Sequence, residues 1–156
     1  MYQKALSNFS YNSVSDKIVP YFYGLGYSNK KEVYARYTKG SAGVFKVNEV
    51  DKISDDRKFE IECRSASDVL KTIIDKHYGR ERIIIKSDCE GAEYDILNSL
   101  EKSSILSEID SIVMEWHLGK RETIESTMKR NGFTYVIKTD YGRNFGKCWA
   151  FNSKTS

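Results

Sequence analysis

The spacing of hydrophobic residues changes along the chain. In the first half, apolar and polar residues alternate in segments such as "KEVYARY" and "FEIECRS", which is the period of a half-buried strand. From residue 82 onward, short apolar runs are separated by segments with helical spacing: "RIIIKSD", "GAEYDILNSLEKS", "IDSIVMEWH" and "RETIESTMKRN". This alternation of strand and helix predicts parallel strands joined by crossover helices.

The pattern predicts one α/β domain over residues 1–156. Ser65 or Ser67 is expected to cap the second helix, and Gly79 and Gly132 to end the second and fourth. Pro20 cannot donate to a ladder, so its strand is expected at a sheet edge or with a bulge. Continuous apolar runs predict a sheet covered on both faces, and the last two strands are expected to be antiparallel. The predicted helices are 2–13, 68–78, 91–103 and 121–131, and the predicted strands are 17–26, 31–37, 44–50, 59–65, 82–88, 109–117, 133–139 and 146–152.

Charge and composition narrow the possible partners. The 25 basic and 22 acidic residues leave a net charge of +3, too small and too dispersed to indicate nucleic-acid binding. No apolar stretch approaches the length needed to span a membrane. The three cysteines show neither CxxC nor zinc spacing, so we expect reduced thiols and a cytoplasmic location.

Acidic residues follow two of the predicted parallel strands. Asp88 and Glu90 come directly after one, and Glu115 and His117 close the other. The carboxyl ends of neighbouring parallel strands meet at one edge, so we expect these residues to share a crevice. Such a cluster can act as a general base, hold a divalent cation or bind hydroxyl groups.

Each of these residues also has a structural interpretation. Glu90 and Glu93 would lie in the first turn of a helix, where carboxylates cap free N–H groups and interact favourably with the helix dipole. His117 can equally be a packed, hydrogen-bonded residue. Cys89 is near enough to His117 to suggest a nucleophile pair, although a small core residue is the simpler interpretation. Zinc is disfavoured because no third spaced histidine occurs.

The segment "IIIKSDCEGAEYDILNSL" resembles the signature of the FkbM-like S-adenosylmethionine-dependent methyltransferases. The later "IDSIVMEWH" is similar to that family's next strand, which ends in Glu-x-His, and "NGF" and "WAFN" are similar to its tail. "SNFSYNSVSDKIVPYFYGLG" resembles the helix and third strand that precede the signature. Asp68 matches the acid that opens the helix before it.

The resemblance implies a Rossmann-like class I methyltransferase sheet in the order 3-2-1-4-5-7-6. It also implies O-methylation of a hydroxyl on a sugar or similar small polar substrate. Asp88, Glu115 and His117 would be catalytic, and Asp88, Glu90 and Asp68 would bind S-adenosylmethionine. No resident metal is expected, although a metal-dependent enzyme of another class is an alternative.

Two family elements have no match in the sequence: the first two strands and the glycine-rich donor loop. We therefore expect a partial domain, inactive as this chain alone, or a non-catalytic binding or assembly module. The exposed edge of strand 82–88 would then pair with strand 17–26 or with another chain, which would give a homo-oligomer.

Overall fold

The structure is a computed structural model that describes residues 2–38, 44–47, 53–77, 82–140 and 144–153. In this part the chain forms four α-helices and eight strands in a mixed α/β arrangement of two sheets. The helices are α1 (Tyr2–Tyr11), α2 (Ala66–His77), α3 (Glu93–Lys102) and α4 (Arg121–Arg130). The strands are β1 (Gly24–Gly26), β2 (Lys30–Arg36), β3 (Val44–Lys46), β4 (Lys58–Ser65), β5 (Ile84–Ser87), β6 (Ser111–Trp116), β7 (Phe133–Thr139) and β8 (Gly146–Asn152).

The first sheet has the strand order β1-β4-β2-β3. The alternating segments form its two long strands, which pair antiparallel over Lys30–Ala35 and Lys58–Cys63. The short strand β1 adds to β4 in parallel, with Gly24 opposite Cys63. The two segments in which apolar and polar residues alternate thus form the long strands of the first sheet, as predicted.

The second sheet has the strand order β5-β6-β8-β7. Strands β5 and β6 are parallel, with Ser87 opposite Met114, and α3 is the crossover between them. The closing strands are antiparallel to each other, with Val136 opposite Trp149, and β8 lies between β6 and β7. Asp110 fixes the start of β5, because its Oδ2 accepts the main-chain N–H of Ile83 at 2.6 Å.

The main core lies between the second sheet and helices α2, α3 and α4. Alternation along β6 directs Ile112, Met114 and Trp116 into it, all at most 3% exposed. The opposite face of the same sheet carries Ile84 and Phe151, which are 65% and 56% exposed. The prediction of a sheet covered on both faces is therefore wrong for the described residues, because α2–α4 all pack on one side.

β1 is an edge strand of the first sheet, and β5 is an edge strand of the second. Within the described ranges β5 pairs only with β6, and β1 pairs only with β4. The described residues thus do not form the single seven-stranded sheet that the resemblance implied, and the strand at 24–26 does not pair with β5. Among the described residues, β1 and β5 each have one edge whose main-chain N–H and C=O groups pair with no other strand.

Most predicted elements are confirmed within a few residues, with one clear exception. The strand predicted at 17–26 is regular only at Gly24–Gly26, although its place at a sheet edge is as predicted. Ser65 caps α2 by accepting the N–H of Asp68 at 3.3 Å, and Gly132 follows α4 with a φ of +77°. The predictions for Gly79 and for residues 48–50 lie outside the described residues.

All three cysteines lie in the described part, and each is a reduced thiol. The described helices are all too short and too polar to cross a membrane.

Candidate active site

The candidate site lies at the carboxyl ends of β5 and β6. These strands are parallel neighbours, so the segments that follow them leave the sheet at the same edge. The first segment carries Asp88 and Glu90 before α3 begins. The second carries His117 directly after Trp116, the last residue of β6.

The structure brings four of the predicted residues together. Ligand-capable atoms of Asp88, Glu90 and His117 all lie within 4.8 Å of one another. His117 Nε2 lies 3.8 Å from Glu90 Oε2 and 3.8 Å from Glu115 Oε1. Asp88 and Glu115 also line one cavity of about 330 Å³ on the open face of the second sheet. Carboxylates and an imidazole in this arrangement suit proton transfer, hydroxyl binding or a divalent cation.

A fifth residue, Glu93, joins the two segments and was missed as a site residue. It lies in the first turn of α3, as the sequence predicted, and its side chain is fully buried. Glu93 Oε1 accepts the main-chain N–H of His117 at 2.7 Å and lies 3.0 Å from His117 Nδ1. Oε2 accepts the N–H of Gly91 at 2.8 Å and lies 3.5 Å from Cys89 Sγ.

A sequence signal for this burial did exist. Glu93 has the i, i+4, i+7 spacing with Leu97 and Leu100, which are the buried face of α3. A carboxylate on the apolar stripe of a helix needs polar partners to be tolerated there. The sequence could thus have indicated that Glu93 is buried, but not which groups bind it.

Both segments have unusual backbone conformations. Glu90 and Leu118 have φ values of +53° and +61°, and Gly91 has a φ of +108°. Non-glycine residues in this region are strained, and such residues cluster at functional sites. The hydroxyl of Tyr94 donates to the carbonyl of His117, so His117 is held through both its N–H and its C=O.

Tyr94 and Cys89, which lie beside the cluster, both have raised pKa values and stay protonated near neutral pH. Burial, and after it the charge of Glu93, raises the pKa of Tyr94 to about 12. Burial raises the pKa of Cys89 to about 11; the hydrogen bond with Ser87 opposes this rise, and the charge of Glu93 adds to it. A thiol with such a pKa is a poor nucleophile, which weakens the Cys89–His117 interpretation.

Asp68 is placed elsewhere. It lies in the first turn of α2 and lines a different cavity, of about 680 Å³, whose wall includes Tyr23 and Arg64. The Arg64 guanidinium lies over the Tyr23 ring at 4.2 Å from the centroid. The structure therefore separates Asp68 from the cavities that Asp88 lines.

A third cavity reaches from the candidate site into the space between the sheets. Its volume is about 540 Å³, and its wall runs from Asp88 and Glu90 to Leu25 and Ile61. A cavity of this size suits a small organic ligand.

Fold and site together define an α/β protein with an acid–imidazole cluster at the carboxyl ends of two parallel strands. The chain belongs to the FkbM methyltransferase family, since the family model described as Methyltransferase FkbM domain matches residues 2–135. No curated protein and no solved structure shows a significant match to it.

Proposed function

We propose that this chain is an S-adenosylmethionine-dependent O-methyltransferase domain acting on a hydroxyl of a sugar or another small polar substrate. The family supports methyl transfer in general. The observation that carries the finer proposal is the convergence of Asp88, Glu115 and His117 at one edge of the sheet. The strand order β5-β6-β8-β7 supports a Rossmann-like class I sheet, of which it would be one half. The reduced thiols support a cytoplasmic location.

The donor would be held by Asp88 and Glu90. Both carboxylates border the 540 Å³ cavity and accept hydrogen bonds from hydroxyl or ammonium groups. S-adenosylmethionine supplies an electrophilic methyl group when bound. Within the described residues β5 pairs only with β6, and we propose that further strands and a donor loop join the sheet at the other edge of β5.

The acceptor hydroxyl would bind between Glu115 and His117. Nε2 of His117 would take the hydroxyl proton as the methyl group passes to the oxygen, so the O–H bond and the S–C bond of the donor would break while the O–C bond forms, leaving S-adenosylhomocysteine. The imidazolium that results is stabilised by Glu90 and Glu115, each 3.8 Å from Nε2. General-base catalysis of this kind contributes roughly 10²–10⁴-fold to a rate.

Saturation-transfer NMR with S-adenosylhomocysteine tests the donor site, because it detects weak binding to a partial site. We expect saturation of the adenosine protons with the parent chain and its loss in Asp88→Asn. Asp75→Asn, which changes an exposed carboxylate of α2, is the matched control and should retain binding. Loss of saturation in Asp68→Asn, and not in Asp88→Asn, would indicate that the donor binds in the cavity beside Tyr23. No saturation with the parent chain would refute donor binding by this chain.

A second candidate, an assembly module, is favoured because β5 has a strand partner on one edge only in the part of the chain that the structure describes. Pairing of the other edge with a second copy would satisfy its main-chain groups and cover Ile84, which is 65% exposed. Sedimentation at high protein concentration is then expected to show a dimer that Ile84→Lys dissociates. Monomeric sedimentation of the parent chain would remove this candidate.

A further inference from the structure

The imidazole of His117 has two chemically distinct sides. Nδ1 faces the buried Glu93, at 3.0 Å from Oε1, while Nε2 faces Glu90 and Glu115 at 3.8 Å. The ring of Phe145 stacks against the imidazole with centroids 6.2 Å apart. Which nitrogen carries the proton in the neutral ring decides whether the outer side can accept one.

The environment of Glu93 decides this question. Each carboxylate oxygen already accepts a main-chain N–H, from His117 on Oε1 and from Gly91 on Oε2. Neither oxygen of Glu93 therefore carries a proton that it could donate to Nδ1 of His117. The contact between Oε1 and Nδ1 needs a proton on Nδ1, which leaves the lone pair of the neutral ring on Nε2.

We propose that Glu93 is a positioning residue that holds neutral His117 in the Nδ1–H tautomer with Nε2 as the proton acceptor. A buried carboxylate that binds Nδ1–H in this way is a general device for setting the tautomer and orientation of a neutral imidazole. Glu93 also fixes the ring's position, because the same side chain binds the main chains of both site segments. The role in methyl transfer rests on the proposed function, whereas the tautomer itself does not.

The protein contains only two histidines, His77 and His117, so the imidazole spectrum can be assigned with one variant. A long-range ¹H–¹⁵N correlation spectrum of uniformly labelled protein, recorded at a pH where the rings are neutral, distinguishes the two tautomers. We expect a pyrrole-type Nδ1 and a pyridine-type Nε2 for His117. His77→Gln assigns the signals. A parent spectrum with the proton on Nε2 would overturn the proposal, even if no variant folded.

Glu93→Gln tests the cause. If the amide nitrogen takes the place of Oε1, it opposes the N–H of His117 and donates to Nδ1, which requires the Nε2–H tautomer. If it takes the place of Oε2, it opposes the N–H of Gly91 and that hydrogen bond is lost. We expect His117 to shift toward the Nε2–H tautomer, which imidazole prefers in water. Glu101→Gln is the matched control, because Glu101 lies on the same helix but binds Arg130 and Asn131. It should leave the His117 signals unchanged.

A purely structural role for Glu93 predicts a different result. In that case Glu93→Gln lowers stability while the His117 tautomer stays as in the parent, and the proposal fails. Glu93→Asp, whose carboxylate is one methylene shorter, gives a second variant that should also lose the Nδ1–H form. Failure of the donor-binding experiment with the tautomer as expected would refute the methyltransferase proposal and leave this inference intact.

Discussion

Gly91 offers a sharp test of the loop geometry that positions the site. Its φ of +108° lies where residues with a Cβ rarely go, and an added Cβ would lie 2.9 Å from Leu118 Cδ1. The contact with Leu118 is cheap to relieve, since that side chain is 63% exposed. The strain of the backbone conformation cannot be relieved in this way, because a positive φ of this kind costs an alanine about 1–3 kcal/mol. We therefore expect Gly91→Ala to lower the free energy of unfolding by about 2 kcal/mol.

Urea denaturation followed by circular dichroism measures this loss. A change of about 2 kcal/mol moves the midpoint by about 1 M urea, and the melting temperature by about 4–8 °C in a chain of this size. Gly26→Ala is the control, because its added Cβ meets only Cys63 Cβ, at 3.8 Å, and its φ is not positive. It should stay within about 0.5 kcal/mol of the parent.

The double variant Gly91→Ala/Leu118→Ala separates the two contributions. If the backbone dominates, most of the loss from the glycine substitution persists when the Leu118 side chain is already truncated. A loss below about 0.5 kcal/mol in Gly91→Ala alone would contradict the reasoning. Gly91 would then adopt an ordinary φ, and the segment that carries Glu90 would follow a different path.

Three further predictions concern other parts of the fold. Gly146→Ala should lower the free energy of unfolding by more than about 3 kcal/mol in urea denaturation, because the added Cβ would clash with the Lys138 carbonyl and lie 2.8 Å from Trp116 Cζ2. A loss under about 1 kcal/mol would contradict the close pairing of β7 and β8. The hydrogen bond from Arg130 lowers the pKa of Glu101 below its ordinary 4.5, so this pair stabilises the fold above that pH and the contribution disappears as pH falls through the lowered pKa. Glu101→Gln should accordingly lower the free energy of unfolding by under about 1 kcal/mol at neutral pH and not at all in acid. A loss that grows in acid would contradict a stabilising role for the ionised form of Glu101. Burial raises the pKa of Cys148 to about 11, so iodoacetamide should label it at neutral pH only after unfolding, as followed by mass spectrometry.

The sequence predicted the local elements well. Period two at 31–37 and 59–65 became β2 and β4, and the helical stripe of α3 was visible in the spacing of Leu97 and Leu100. Local pattern suffices there because each residue's environment repeats with the period of its own element. It failed at 17–23, where apolar and aromatic residues resembled a strand but only 24–26 found a partner. A strand depends on the pairing strand as much as on its own residues.

For the site, the sequence determined which chemical groups follow β5 and β6, and therefore which acids and imidazole share an edge once the strands pair in parallel. Only the tertiary structure decided that Glu93 is buried beneath His117, that Asp68 faces another cavity, and that the helices leave one sheet face open. These properties depend on contacts between segments distant in sequence. Burial and hydrogen bonding of a carboxylate are set by its three-dimensional neighbours, which no local period encodes.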